Sequence, residues 1–113
     1  MDAAAYARVF KKARRSKDKL FTVLYRDSEL SQARLGLAIS KKNCRLAVER
    51  NRIKRLVRES FRHHHGELAG YDFVVLNQAT THKAGNRELM DSLAKHWQST
   101  QSKSKQTAQR QQG

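Results

Sequence analysis

The sequence predicts an α+β fold, a two-layer sandwich of helices laid on one sheet. Three observations predict it. Two short runs, Leu20 to Arg26 and Tyr71 to Asn77, have the length and the β-branched and aromatic content of strands. Between them, residues 46–65 repeat apolar side chains at three- and four-residue spacing, the period of a long amphipathic helix. Shorter stretches of the same period open and close the folded part of the chain, at residues 3–13 and 87–97.

The elements follow in order. Residues 3–13 carry Ala3, Tyr6, Ala7, Val9, Phe10 and Ala13, a spacing that gives a short helix one apolar side. In Leu20 to Arg26, Phe21, Val23 and Tyr25 alternate with Thr22, Leu24 and Arg26. A mostly polar turn, Asp27 to Ala33, leads to Arg34–Ser40, where Leu35, Leu37 and Ile39 share a face opposite small Gly36, Ala38 and Ser40. These two runs predict an antiparallel pair. In the long helix, Leu46, Ile53, Leu56, Val57 and Phe61, with small Ser60, form the core side, and Gly66 is placed to end it. Tyr71–Asn77 reads as a buried strand, and a loop with Gly85 precedes a helix that sets Leu89, Leu93 and Trp97 beside Met90 and Ala94. A strand, helix and strand in succession predict a right-handed crossover if the strands are parallel. Residues 98–113 hold six Gln, three basic residues and no acid. They bury too little to offset their ordering entropy, which predicts one domain at 1–97 and a disordered Gln-rich basic tail at 98–113.

The charge narrows the partner. The chain has 113 residues with 24 Lys and Arg against 10 Asp and Glu, a formal net charge of +14. Seven basic residues lie between Arg8 and Lys19 with only Asp18 among them, and ten lie between Arg34 and Arg62 with only Glu49 and Glu59. Such an excess points to a polyanion, nucleic acid first and an anionic membrane surface second. No apolar run reaches the roughly 18 residues of a membrane span, and no apolar signal core follows the N-terminus, so the expected setting is intracellular. A single cysteine, Cys44, excludes an internal disulfide.

Catalytic chemistry finds little support. The acids are scattered, and the sequence holds no HExxH, GxSxG, CxxC or phosphate-cradling loop. His63, His64 and His65 are consecutive, and on a helix they point about 100° apart, so they do not converge on one metal ion. Their place at a helix C-terminus suits the helix dipole. Cys44 has cations nearby, Lys42 and Arg45, but no base or second thiol beside it. Outward from the long helix project Asn51, Lys54, Arg55, Arg58 and Arg62, and Arg outnumbers Lys five to one over 50–62. That bias suits bidentate phosphate contacts and stacking on bases.

Several segments together resemble the bacterial ribonuclease P protein component: Arg-Leu-Gly-Leu at 34–37, Ser-Lys-Lys at 40–42, Ala47-Val48, and above all Arg50-Asn51-Arg52-Ile53-Lys54-Arg55, continued by Arg58-Glu59-Ser60-Phe61-Arg62. The similarity runs from about Tyr6 to Trp97. It implies the fold of the second domain of ribosomal protein S5, with a left-handed βαβ crossover through the RNR helix in place of the right-handed one. It implies the protein subunit of a ribonucleoprotein endonuclease that removes the 5′ leader of precursor tRNA. The RNA subunit then performs the Mg²⁺-dependent hydrolysis, and the partners are the ribonuclease P RNA and precursor tRNA, in a bacterial cytoplasm and with no membrane. By the same resemblance Lys41, Lys42, Arg45, Arg50, Asn51, Arg52, Lys54, Arg55, Arg58 and Arg62 meet the catalytic RNA. Tyr6, Phe10, Lys11 and Arg14 line the cleft for the leader, although the spacing of Tyr6 and Phe10 equally fits core packing. After Ser-Lys-Lys, where many relatives carry a Gly-containing segment, this chain has Asn43-Cys44-Arg45-Leu46. A ribosomal or general structured-RNA-binding protein remains the alternative; a membrane-surface or DNA-compacting basic protein is a third.

Overall fold

In the computed structural model the described residues are 3–28 and 30–112, with side chains as far as residue 101; Met1, Asp2, Glu29 and Gly113 lie outside them. Along the chain run α1 (Ala3–Lys11), β1 (Arg14–Lys17), β2 (Phe21–Asp27), β3 (Arg34–Ala38), α2 (Ala47–His63), β4 (Tyr71–Asn77) and α3 (Asn86–Gln112). Two single 3₁₀ turns, His65–Leu68 and Thr81–Lys83, flank β4.

The sheet has four strands in the order β1-β2-β4-β3. Expected neighbours β2 and β3 are therefore not paired, because β4 lies between them, antiparallel to β2 and parallel to β3. The reason is in the side chains. Asp72, Phe73, Val74, Val75 and Asn77 of β4 are all buried, and a strand apolar on both faces belongs in the middle of a covered sheet. A bidentate pair fixes the β3–β4 register: Arg34 Nε and Nη2 donate to the two Asp72 oxygens at 2.8 and 2.7 Å, and the two residues are directly opposed.

On one face Phe21, Val23, Tyr25, Phe73 and Val75 meet Ile53, Leu56, Val57 and Phe61 of α2 and Leu89, Leu93 and Trp97 of α3. This is the predicted two-layer sandwich. Trp97 sits at its centre, its ring edge-on to Phe73 at 5.3 Å and to Phe61 at 5.9 Å. The indole N–H would be stranded there, and Ser60 Oγ accepts it at 2.9 Å, which explains a small polar residue on the core side of α2. Because β-strand side chains alternate, the same strands also present Leu24 and Val74 to the reverse face, where Val9 of α1 covers them.

β1 is absent from the sequence reading. Its residues Arg14, Arg15 and Lys17 are exposed and only Ser16 is buried, so no apolar alternation announces it; charged residues on a sheet edge also discourage edge-to-edge association. Asp18 shapes the turn that follows, accepting hydrogen bonds from the backbone N–H of Leu20 at 2.9 Å and of Phe21 at 2.8 Å. Ser92 of α3 donates to the other carboxylate oxygen at 2.6 Å, and buried His96 places Nε2 3.2 Å from Asp18 Oδ1 and Nδ1 2.8 Å from Ser16 Oγ. Burial opposes ionisation of Asp18, yet these hydrogen bonds, with the nearby His96, hold its carboxyl below the usual value.

Two further expectations are corrected. Leu46, assigned to the core side of the long helix, precedes α2 and is 67% exposed. Gly66 does not end the helix; His64 does, and the chain turns at Gly70, the one residue with positive φ (88°) among those described. Buried Thr100 donates its hydroxyl to Trp97 O at 2.7 Å, Gln101 Nε2 donates to Glu67 O at 2.7 Å, and α3 runs on to Gln112. Between Asn86 and Gln112 there is no Gly or Pro to stop it.

Candidate nucleic-acid interface

The outward side of α2 carries Asn51, Arg55, Arg58 and Arg62, all exposed. Their spacing of four, three and four residues aligns them in one stripe along the helix. Among the described residues none of these three arginines has an ion-pair partner; the acids near the helix start and middle are Glu49, which pairs with Arg52 at 3.0 Å, and exposed Glu59. A row of unneutralised guanidinium groups on a rigid rod is a ready-made phosphate-binding face.

The two arginines of the RNR run differ from the stripe in making hydrogen bonds within the fold. Arg50 folds back along the chain, its Nη1 donating to Cys44 O at 3.0 Å and to Arg45 O at 2.8 Å. It thereby fixes the loop that enters α2. Arg52 reaches across to the segment between β4 and α3: Nη2 donates to His82 O at 3.1 Å and Ala84 O at 3.2 Å, and Nη1 to Asn86 Oδ1 at 2.6 Å. Both side chains hold the fold that presents the stripe. Lys41, Lys42 and Arg45 are exposed on the loop before α2.

Lys54 is half-buried. With Arg58 it lines a cleft of about 380 Å³ whose other walls are Tyr6 of α1 and Leu35 and Leu37 of β3. Tyr6 is half-buried here, and its hydroxyl accepts the backbone N–H of Leu37 at 3.0 Å, which gives a partner to an amide on the free edge of β3. Phe10, one turn further along α1, is 52% exposed. Of the two aromatic residues that spacing alone leaves undecided, Tyr6 is therefore held in the fold and Phe10 offers its ring to solvent. Lys11 and Arg14 are exposed in the same region of the chain, at the end of α1 and the start of β1.

A basic helical stripe joined to an aromatic, cationic cleft fits RNA in general; the comparison with known proteins is what identifies the family. Residues 1–101 match the family model described as Ribonuclease P. The chain belongs to the ribonuclease P protein family. It is 48% identical over 89 residues to the ribonuclease P protein component of Methylococcus capsulatus, covering 79% of this chain and 70% of that one. To the component from Vibrio cholerae it is 44% identical over 93 residues, covering 82% and 79%. Among solved structures, the RNase P protein of Staphylococcus aureus superposes with a TM-score of 0.82 at 28% identity, covering 88% of this chain and 92% of that one. The RNase P protein of Thermotoga maritima gives 0.72 at 27% identity, covering 80% and 86%.

For a ribonuclease P protein the remaining conspicuous groups are modest. The three histidines diverge: His63 is exposed, His64 Nδ1 donates to Ser60 O at 2.9 Å, and His65 stands edge-on to Phe61 at 5.7 Å. Among the described residues no group of three or more His, Cys, Asp or Glu is placed to hold a metal ion. Cys44 is buried, its thiol 3.8 Å from Leu46 O. No helix among the described residues is long and apolar enough to cross a membrane. Two features escaped the sequence. Leu35 and Leu37, packed against the core, also form cleft wall, and His82 and Lys83, beside the start of α2, carry no motif of their own.

Proposed function

We propose that this chain is the protein subunit of a bacterial ribonuclease P holoenzyme, binding the catalytic RNA along the α2 stripe and the single-stranded 5′ leader of precursor tRNA in the cleft between α1, β3 and α2. The observation that carries the reading is the position of Arg58. It stands on the stripe and also lines the cleft, so the two RNA ligands meet at one side chain. On this reading Arg55, Arg58 and Arg62, with Lys41, Lys42 and Arg45, neutralise phosphates of the catalytic RNA. Lys54 neutralises the leader backbone while an unpaired base stacks on Phe10, worth about 1–3 kcal/mol per base. Arg50 and Arg52 position the helix. On this reading hydrolysis of the leader phosphodiester belongs to the RNA, which holds the Mg²⁺.

Reconstitution tests the proposal. The purified chain, mixed with ribonuclease P RNA and precursor tRNA at low Mg²⁺, is expected to stimulate cleavage at the mature 5′ end and to cleave nothing alone. Cleavage by the protein alone would overturn the assignment of chemistry to RNA. Tight binding to structured RNA without stimulation would favour a general RNA-binding protein.

A further inference from the structure

A second hollow, of about 360 Å³, opens where the Lys42–Leu46 loop, the first turn of α2 and the Thr81–Lys83 turn meet. Its walls include Cys44, Leu46 and Ala79, and its rim carries the exposed cations Lys42, Arg45 and Lys83. The acid in the lining, Glu49, is already engaged by Arg52, so the rim stays net positive. Two independent features leave this place unfinished. Leu46 is 67% exposed, a large apolar side chain with nothing over it among the described residues. The N-cap of α2 is Leu46, which makes no side-chain cap, so the first-turn N–H groups keep their affinity for an anion.

We propose that this hollow receives one unstacked nucleotide of a bound RNA. The base lies against Leu46 and Ala79, and the phosphate rests between the first turn of α2 and Lys42, Arg45 and Lys83. The chemistry selects this occupant. A second copy of a chain with net charge +14 would bring the same cations together, and a lipid surface needs a broad apolar face, where here there is a concave pocket ringed by charge. Apolar side chains commonly flank an extruded base while cations hold its backbone. That the RNA is ribonuclease P RNA rests on the function proposed above.

Two measurements on the full chain test the inference. In ¹⁵N-labelled protein, adenosine 5′-monophosphate is expected to shift the amides of residues 44–49 and 79–83, whereas inorganic phosphate shifts only those of the first turn of α2. Identical shifts from both probes, or none from the nucleotide at millimolar concentration, overturn the base pocket. Ala79 is exposed, so Ala79→Trp fills the hollow from outside the core and leaves the charge unchanged. It should weaken binding to ribonuclease P RNA about tenfold, or about 1.4 kcal/mol, with the salt dependence of the wild type, while Ala79→Ser binds normally. Wild-type affinity in Ala79→Trp overturns the proposal, as does a concentration-dependent dimer in sedimentation that this variant abolishes. A wild-type chain that fails to bind ribonuclease P RNA refutes the family-level reading instead, and the nucleotide-against-phosphate comparison still reports on the hollow.

Discussion

Replacing Arg52 by alanine separates holding the RNA-binding helix from touching RNA. The guanidinium makes three contacts to the segment between β4 and α3, two of them to backbone carbonyls, and one to Glu49 within α2. The Glu49 pair is partly exposed, with the Arg52 side chain at 21% and Glu49 at 32%, so it contributes only about 0.3–0.5 kcal/mol. The tertiary contacts dominate. A hydrogen bond from a charged donor contributes about 1.5–3 kcal/mol, and three that share one guanidinium are not additive, so the expected loss is about 3 kcal/mol. For a domain of this size that lowers Tm by roughly 10 °C. Arg55→Ala removes an exposed side chain with no ion pair among the described residues and should change stability by no more than about 0.5 kcal/mol. Its effect appears in RNA binding, where one lost phosphate contact lowers the slope of log affinity against log salt by about one. Urea titration and filter binding across a salt series measure both quantities on the same proteins. An Arg52→Ala variant that unfolds with the wild type while losing as much salt slope as Arg55→Ala would place Arg52 on the RNA and not in the fold.

Other expectations follow from the same geometry. Phe10→Ala should leave the urea midpoint nearly unchanged and weaken binding of precursor tRNA, but not of leaderless tRNA, by about 1–3 kcal/mol; equal loss for both substrates would remove Phe10 from the leader cleft. Ser60→Ala strands the Trp97 indole N–H in the core, and a loss of about 1–3 kcal/mol in urea unfolding is expected, with stability at the wild-type level arguing against the bond. Asp18 has a folded pKa below its unfolded value, so its contribution is complete above the unfolded pKa, near pH 4, and disappears as pH falls through the folded one. Asp18→Asn should therefore flatten the acid limb of the stability–pH profile, a comparison read from melts between about pH 2 and pH 5.

Much of the fold is written in periods that a single element carries by itself. Ile53, Leu56, Val57 and Phe61 announce α2, and Leu89, Leu93 and Trp97 announce α3, because each set is sufficient to define a helical face. What escaped depends on relations between elements. Arg14–Lys17 becomes a strand only because β2 offers it a ladder, and the place of β4 between β2 and β3 follows from both faces being covered, which requires knowing that α1 sits on the reverse side. Asn51, Arg55, Arg58 and Arg62 were legible as an outward stripe from helical spacing alone. Arg50 and Arg52 look the same in sequence, yet their carbonyl partners at 44, 45, 82 and 84 come from loops whose path no local pattern encodes. Leu46 fits the helical period and misses the helix by one residue.

The middle strand of the sheet is also the last strand to be made. Both β2 and β3 find their main partner in Tyr71–Asn77, so while the chain is being synthesised a β1–β2 hairpin must wait, marginal by itself, until β4 has followed. The interval between Asp27 and Asn77 is 50 residues, a few seconds at about 5–20 residues per second. Throughout that delay the apolar faces of β2 and β3 have no sheet to close them, and α2, already local and complete, has no surface to lie on. Folding of this protein is thus a single late event set by topology. Pulsed hydrogen exchange during refolding should show the β2 and β3 amides gaining protection together with those of β4 and not before.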